Sequence, residues 1–526
     1  MIKKEMGLMA EALDRATVVS IVMIGMTVSL LSLSIPIAAQ TLINFIAFGK
    51  LFQPVITLSV MLFVTMMAVG ALHVWQIVIV EVIQQKLMVK ITLELTEQFT
   101  QLSFENDSMY HAPELVNRFF EVVTINKSLA SLLLYGINLG LQLFFGLLLL
   151  LIYHPLFLIF DGFLIGAILL VIFLPYRKGL ETAQEECSQK HQIAAWLDDI
   201  LVNRFLFRFH SYHRYATQQA DKQLVSFLKA RNRQFKQLLK HQIGFYSLSA
   251  LASSLLLGIG GYLVIKNQLS LGQLVAAEIV LGAIIYALRG FGALLEDYYD
   301  LKASQKKLET VLHLPVDECR YDLDELFLPI TMIKLKIKGQ AAVIASPTMP
   351  LFIYSHTPGA CQKLRDAFFD FGEKGTLELF INDTFCSYEN RVALRQHSLL
   401  IGQPQWFAGT IYDNLLLNQR QIPSKVIIEQ LKKIGLLDKI MHQPDGLKTI
   451  VYEWQTIFTA VEIIQFMVVR ALLVKPQLLM IDRAFDLLEQ QMDEMMPYLM
   501  TLNSTTLIIL SQKNDFKHMA NRLVLH

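Results

Sequence analysis

Charge is scarce in this 526-residue chain: Asp, Glu, Lys and Arg make up 17% of it, against roughly 25% in soluble domains. The deficit is uneven. Residues 17–49, 51–80 and 241–265 hold no charged side chain, 128–176 hold only Asp161, and 269–288 hold only Glu278. A formal net charge of +1 supplies no pull toward nucleic acid or acidic substrates, so no nucleic-acid partner is expected. Cysteine is equally sparse. Cys187, Cys319, Cys361 and Cys386 lack C-x-x-C spacing, so neither a zinc site nor a disulfide framework is indicated, and they read as ordinary reduced residues.

What abounds is apolar sequence, 54% of the chain. A helix needs about 20 such residues to cross a bilayer core. Six lengths qualify, at about 17–48, 52–80, 128–152, 155–176, 241–265 and 269–290, with Tyr153-His154-Pro155 and Lys266-Asn267-Gln268 dividing the last two pairs. A cleaved signal peptide over 1–40 is the weaker alternative. Ile37-Ala38-Ala39 faintly resembles a cleavage site, but signal apolar regions run only about 7–15 residues. Lysine and arginine collect on the cytoplasmic side. Lys3, Lys4 and Arg15 precede the first span and twelve basic residues fall in 177–240, whereas the turns after the first, third and fifth spans offer Lys50, His154 and Lys266. Both termini and both long loops, 81–127 and 177–240, are therefore expected in the cytoplasm. Ile83, Leu87, Ile91 and Leu95 keep helical spacing into the first loop. The helices should run on past the membrane and turn at 103–108 and 196–208, short stretches suited to docking on another domain. Residues 1–312 thus read as an all-α six-helix transmembrane domain with long cytoplasmic helical extensions.

A charged helix at 302–312 leads through a linker, 313–329, into a second domain at 330–526. Strand-like runs at 377–381, 398–401, 478–481 and 507–510 alternate there with candidate helices at 361–370, 424–434, 458–474 and 486–501. That pattern predicts an α/β domain with a mainly parallel sheet. Gln405-Trp406-Phe407-Ala408-Gly409-Thr410-Ile411-Tyr412-Asp413-Asn414-Leu415 resembles the segment after the Q-loop of ABC exporter nucleotide-binding domains. Arg470-Ala471-Leu472-Leu473 and the following Lys475-Pro476-Gln477-Leu478-Leu479-Met480-Ile481-Asp482 are similar to the signature helix running into the Walker B strand. Ser270-Leu271-Gly272-Gln273-Leu274-Val275-Ala276 resembles the start of the sixth helix in exporters related to type I secretion and bacteriocin export. The resemblance covers nearly the whole chain. It implies a half-transporter of ABC exporter type in a bacterial inner membrane, with a P-loop-NTPase-like second domain. Its implied partners are membrane lipid, a second copy or a related half-transporter, and secretion or periplasmic adaptor proteins.

The residues that would handle ATP depart from the family pattern. A phosphate loop wraps the nucleotide in backbone N–H groups and adds a lysine and a magnesium-binding hydroxyl. By resemblance it falls at Ser355-His356-Thr357-Pro358-Gly359-Ala360-Cys361-Gln362-Lys363. One glycine, Gly359, remains; Cys361 takes the lysine position, Gln362 the hydroxyl position, and Pro358 removes a donor. Lys363 would serve only after a two-residue slip. Asp482 matches the magnesium-associated aspartate and is the one candidate metal ligand. Arg483 stands where the family carries its general-base glutamate, and a guanidinium cannot accept a proton. At the signature, Phe458-Thr459-Ala460-Val461-Glu462 keeps a hydroxyl, loses both glycines and gains a carboxylate facing where phosphate would sit. Gln512 stands at the switch histidine, and the Q-loop falls at Gly402 in strict register or at Gln403 with a one-residue gap. In the family's head-to-tail dimer each site combines the Walker residues of one subunit with the signature of the other, so a homodimer would hold no intact site. No catalytic residue is intact, no cofactor is expected, and ATP with magnesium enters by resemblance only.

Asp161 and Glu278 lie about seven and ten residues from the nearest turn, roughly 10 to 15 Å deep. Intramembrane acids are candidates for facing a translocation cavity; a partner-bonded or water-exposed acid near a helix end is the alternative. Pro36 should kink the first span. The basic stretch of Arg204, Arg208, His210, His213 and Arg214 reads as a solvated or docking loop ahead of a nucleic-acid surface, and Met492, Met495 and Met496 as core packing ahead of a metal box. No peptidase-like domain is read before Thr17, so self-contained leader cleavage is not expected. The functional expectation is export-type transport with ATP binding and hydrolysis by this chain lost or strongly impaired. A non-transporting membrane scaffold or regulatory pseudo-transporter, and an ATP-driven exporter with a remodelled site, are the alternatives.

Overall fold

A computed structural model describes residues 14–48, 52–103, 112–317, 327–337, 340–371, 377–417, 422–488, 491–513 and 521–525. Lys50, Cys319, most of the turn at 103–108 and the side chains of Pro358 and Met492 lie outside the described set. The chain divides into two compact units, Met1–Thr100 with Ser108–Leu314, and Gln101–Asp107 with Pro315–His526.

The first unit is helical: α1 (Arg15–Ser32), α2 (Ser34–Phe48), α3 (Phe52–Thr100), α4 (Ala112–Asn117), α5 (Glu121–Ser131), α6 (Ile137–Tyr153), α7 (Phe157–Phe173), α8 (Tyr176–Val202), α9 (Arg204–Phe207), α10 (Tyr212–Ile265) and α11 (Leu271–Leu312). Among the described residues, six stretches, Arg15–Phe45, Gln53–Thr100, Glu114–Tyr153, Phe157–Val202, Tyr212–Ile265 and Leu271–Leu312, are long and apolar enough to cross a membrane. The 54 residues of α10 reach about 80 Å, well over twice the ~30 Å hydrocarbon core. Such helices must project beyond the membrane. Large apolar side chains stand exposed along the spans, Phe63 and Met67 on α3 and Ile159 and Phe173 on α7 among them. A surface of that kind is solvated by lipid.

Each break has a local cause. Pro36 has no N–H for the carbonyl of Ser32, and the first span breaks at Leu33, whose N–H turns back to Leu30 O at 3.2 Å. His154 is extended before Pro155, the conformation a following proline imposes, and it separates α6 from α7. Asn267 takes φ +55° between α10 and α11. Ser270 and Gln273 then form a reciprocal capping box that starts α11. Between α5 and α6 the helix continues through a wide turn at Leu132–Gly136. The turn expected at 196–208 is shorter than its sequence suggests: Trp196 stays inside α8, the chain breaks at Asn203, and His210 and Ser211 adopt left-handed φ of 44° and 59° before α10.

The second unit is α/β. Its five-stranded parallel sheet runs β11-β3-β10-β9-β6, with β3 (Leu351–Ser355), β6 (Ser398–Ile401), β9 (Leu478–Asp482), β10 (Thr506–Ser511) and β11 (Arg522–Leu525). A four-stranded antiparallel sheet runs β2-β1-β4-β5, with β1 (Ile333–Ile337), β2 (Val343–Ala345), β4 (Leu377–Ile381) and β5 (Thr384–Phe385). A small ribbon pairs β7 (Gly409–Thr410) with β8 (Ile450–Val451). Helices α12 (Pro358–Phe369), α13 (Tyr388–Leu394), α14 (Ile411–Leu416), α15 (Ser424–Ile434), α16 (Leu437–Met441), α17 (Ala460–Val474) and α18 (Gln491–Leu499) complete it. β9 and β10 are buried at every residue, as continuous apolar strands inside a parallel sheet should be.

Three expectations are corrected. The run at 377–381 belongs to the antiparallel sheet, paired with β1, while β3 and β11, unforeseen, form one side of the parallel one. The helix at 361–370 starts earlier, at Pro358, because proline suits the first helical turn. The helix at 486–501 starts only at Gln491. Asp486 is held in the preceding turn, where its carboxylate accepts from Ser511 Oγ at 2.5 Å and from the N–H of Gln512 at 3.0 Å. Met495 and Met496 are buried in the core formed with α17 and β9.

Candidate functional site

In an open parallel sheet the ligand end is the carboxyl end of the strands. Here β3, β9 and β10 end at Ser355, Asp482 and Ser511. Only His356 and Thr357 separate β3 from α12. That connection leaves no room for a loop of free N–H groups, and its own polar atoms are engaged. Thr357 N–H donates to Ser355 Oγ at 3.2 Å, the two hydroxyls are 3.1 Å apart, and Tyr354 OH lies 2.8 Å from His356 Nδ1. Gly359 sits inside the helix where an added Cβ would meet nothing within 4 Å, so no close approach demands glycine there.

Cys361, at the lysine position, faces inward and is fully buried, its sulfur 3.8 Å from Ser511 O. Burial, with the Asp482 charge second, pushes its thiol up to about 11. Gln362 and Lys363 point outward and are exposed, so the two-residue slip that would recruit Lys363 does not occur in this structure. One turn further along α12, Arg365 reaches the strand end that Cys361 faces. Its Nη1 donates to Asp482 Oδ2 at 2.9 Å while Nε and Nη2 hold Asp366. Arg483 approaches from the other side, Nε to Asp482 Oδ1 at 2.9 Å. That bond is the main reason its guanidinium is held above its usual range. Arg483 has φ +55° and its N–H bonds Leu510 O at 2.9 Å, which ties the end of β9 to β10.

Asp482 is 4% exposed and both its oxygens are engaged by guanidinium groups. A magnesium ion would need an oxygen that these cations now occupy, and two adjacent positive charges oppose a third. Arg365 was missed by sequence reasoning. The only available signal was its i, i+4 spacing from Cys361, which puts both on one face of a helix. Gly402 follows β6 directly, its ideal Cβ position 3.8 Å from Asp482 O, and Gln403 beyond it is exposed. Gln512 uses its backbone N–H on Asp486.

The segment 458–462 serves packing and capping. Phe458 is buried against Trp406 and Phe466, with ring centroids 5.8 and 6.1 Å apart. Thr459 caps α17: its Oγ1 accepts from Glu462 N–H at 3.2 Å, and Glu462 Oε2 accepts from Thr459 N–H at 2.7 Å. Lys439 Nζ adds a bond to the same carboxylate at 2.7 Å. The Glu462 carboxylate thus satisfies the first donors of its own helix, leaving Ala460 and Val461 as ordinary first-turn residues. Burial raises the Glu462 pKa, but the bonds from Lys439 and Thr459 outweigh it and the net shift is downward. The folded carboxyl thus titrates below its unfolded value near 4.5. Its contribution, roughly 0.3–1 kcal/mol for a carboxylate in a helix's first turn, is complete above that pH and disappears as pH falls through the folded value. Glu462→Gln should accordingly flatten the acid limb of the unfolding midpoint between pH 5 and 3 (about two pH units), and an unchanged acid limb would refute the cap.

The motif around Gly409-Thr410-Ile411 is built into the core. Thr410 caps α14 through Asp413 N–H at 2.9 Å. Asn414 spans the turn, accepting from Phe407 N–H at 3.1 Å and donating to Phe407 O at 2.8 Å. Buried Arg470 on α17 gives its Nε, 3.0 Å, and Nη2 to Asn414 O. In the first unit, Asp161 and Glu278 each keep a buried carboxylate oxygen without a hydrogen-bond partner, and Asp161 is 6% exposed.

No family model matches the chain. Among curated proteins it is 23% identical over 328 residues to the exotoxin translocation ATP-binding protein PaxB of Pasteurella aerogenes, a match covering 58% of this chain and 45% of that one. It is 24% identical over 328 residues to the alpha-hemolysin translocation ATP-binding protein HlyB of Proteus vulgaris, with the same coverage. The match spans less than half the length of these relatives. A solved structure of a bacterial Atm1-family ABC exporter with ATP bound superposes at a TM-score of 0.80 and 15% identity, covering 98% of this chain and 94% of that one. The fold is that of an ABC exporter half-transporter: six membrane-type helices followed by the α/β unit.

Proposed function

We propose that this chain, an ABC exporter half by fold and by its relatives, is the membrane subunit of an export-type transporter whose own nucleotide site no longer takes MgATP. One observation carries the proposal: both oxygens of Asp482 are held by Arg365 and Arg483, where the family places magnesium and a general base. The two-residue turn before α12 and the capped start of α17 support the same reading from the phosphate side. The subunit sits in a bacterial inner membrane with both termini cytoplasmic, on the strength of its basic loops. It works as a dimer, with a second copy or with a related half-transporter; a related partner's phosphate loop would meet Phe458–Glu462 in place of an intact signature, so any ATP-driven movement rests on that one composite site. Secretion or periplasmic adaptor proteins are its further partners. Asp161 and Glu278, acids within spans, face the translocation path.

The test is MgATP binding to the full-length protein in detergent, with an active exporter measured alongside. Affinity at least about a hundredfold below the control is expected, a loss of roughly 2.7 kcal/mol. Micromolar, magnesium-dependent binding that Lys363→Ala abolishes would overturn the proposal. Isolation of a pure homodimer from native membranes would count against the heterodimer.

A further inference from the structure

Helices α5, α8 and α11 enclose a cluster of side chains that the transport reading leaves without a role. Cys187 and His191 stand four residues apart on α8 and so share one face. Glu121, the first residue of α5, comes to that face, and all three are buried. The thiol sulfur, an imidazole nitrogen and a carboxylate oxygen lie within 4.8 Å of one another. His191 Nε2 is 3.0 Å from Glu121 Oε1, its polar contact in this cluster. The other Glu121 oxygen accepts from Ser304 Oγ on α11. A cavity of about 180 Å³ adjoins the cluster, bounded by Glu121, Cys187, Lys190, Asp300 and Ser304 among others. That is ample for water, whose share of liquid volume is about 30 Å³.

We propose that Glu121, Cys187 and His191 form a binding site for Zn²⁺ or a similar thiolate-preferring divalent cation, with water from the adjoining cavity as the fourth ligand. A thiolate, an imidazole and a carboxylate are the donor set that zinc accepts, three from protein with one position open. Bond lengths of about 2.0 to 2.3 Å put tetrahedral ligands roughly 3.3 to 3.7 Å apart, so the cluster closes by about an ångström of side-chain adjustment. Binding expels one proton, from the Cys187 thiol. The thiolate and carboxylate then neutralise the ion. Lys190, whose Nζ is 2.8 Å from Glu121 Oε1 and whose side chain is half exposed, turns out to water. The bound ion fastens α5 to α8 outside the apolar spans.

The experiment is a titration of the full-length protein in detergent, stripped with chelator, using Co²⁺ and then Zn²⁺. The expected result is one Co²⁺ per chain with sulfur-to-cobalt charge-transfer absorption that Zn²⁺ displaces. Cys187→Ser abolishes that absorption, and His191→Gln weakens binding at least about tenfold, since even outer-shell changes cost that much. A wild-type protein without the absorption at millimolar Co²⁺ overturns the proposal, because a purely structural Lys190–Glu121–His191 network gives none. Absorption that persists in Cys187→Ser overturns it equally. The wild-type titration decides whether or not the variants fold.

Discussion

Asp482→Asn is expected to lower the unfolding midpoint of the second unit by several degrees, corresponding to about 3 kcal/mol. The side chain keeps its shape and loses only its charge. Arg365 and Arg483 would then lie 2.9 Å from a neutral amide, one of them facing its NH₂ group. Removing one partner of a buried pair costs about 3–5 kcal/mol because the other charge stays uncompensated. The arginine side chains are 23% and 25% exposed, so they can turn partly to water and the lower end applies. Trp406 and Trp454 lie in the second unit, and their fluorescence can follow its transition in the full chain. Arg365→Met combined with Asp482→Asn should recover part of the loss, since the double variant leaves fewer unmatched charges. An aspartate kept for magnesium behaves otherwise: its amide variant would be stable and MgATP would no longer raise the midpoint. A midpoint within a degree of wild type would therefore remove the main support for a closed nucleotide site.

How much of this was legible depends on how local the cause is. A span is announced by twenty uncharged residues in a row, and its break by a proline within one turn, as at Pro36 and Pro155. Strands β9 and β10 announced themselves because strands buried on both faces are apolar throughout. Strand β3 did not, because it ends in Tyr354-Ser355 and its partners β10 and β11 lie more than 150 residues later. The sheet to which β4 belongs is likewise a matter of pairing, which no local pattern carries. At the candidate site, Asp482 and Arg483 were found by position along a recognisable segment. Arg365 was not, since its reach to Asp482 depends on how α12 packs against β9. Glu462 carried a second role that the sequence also spells out. Its capping-box spacing from Thr459 is a readable signal, but the comparison with a phosphate-binding segment drew attention to its charge instead.

Asn414→Ala should destabilise the second unit by about 2–3 kcal/mol, from the unsatisfied groups left behind. The side chain is fully buried and acts as a clip. Oδ1 accepts from Phe407 N–H at 3.1 Å, and Nδ2 donates to Phe407 O at 2.8 Å and Thr410 O at 3.2 Å. Phe407 itself is 46% exposed, so water can replace part of what is lost there, which sets the ceiling. The backbone carbonyl of Asn414 still receives Arg470 in this variant, and the guanidinium stays in place. Asn414→Asp separates hydrogen bonding from packing. It keeps the volume and the bond from Phe407 N–H, but turns a charged oxygen on the carbonyls of Phe407 and Thr410. If the amide is retained for its two-way bonding, Asp should cost at least as much as Ala near neutral pH. It should also regain stability on acidification, because protonation restores a donor. If the position is retained for volume alone, Asp should be nearly as stable as wild type. The same measurement bears on why this segment persists where the nucleotide residues do not: its side chains hold the turn, the helix and the neighbouring α17 together, and that work requires no nucleotide.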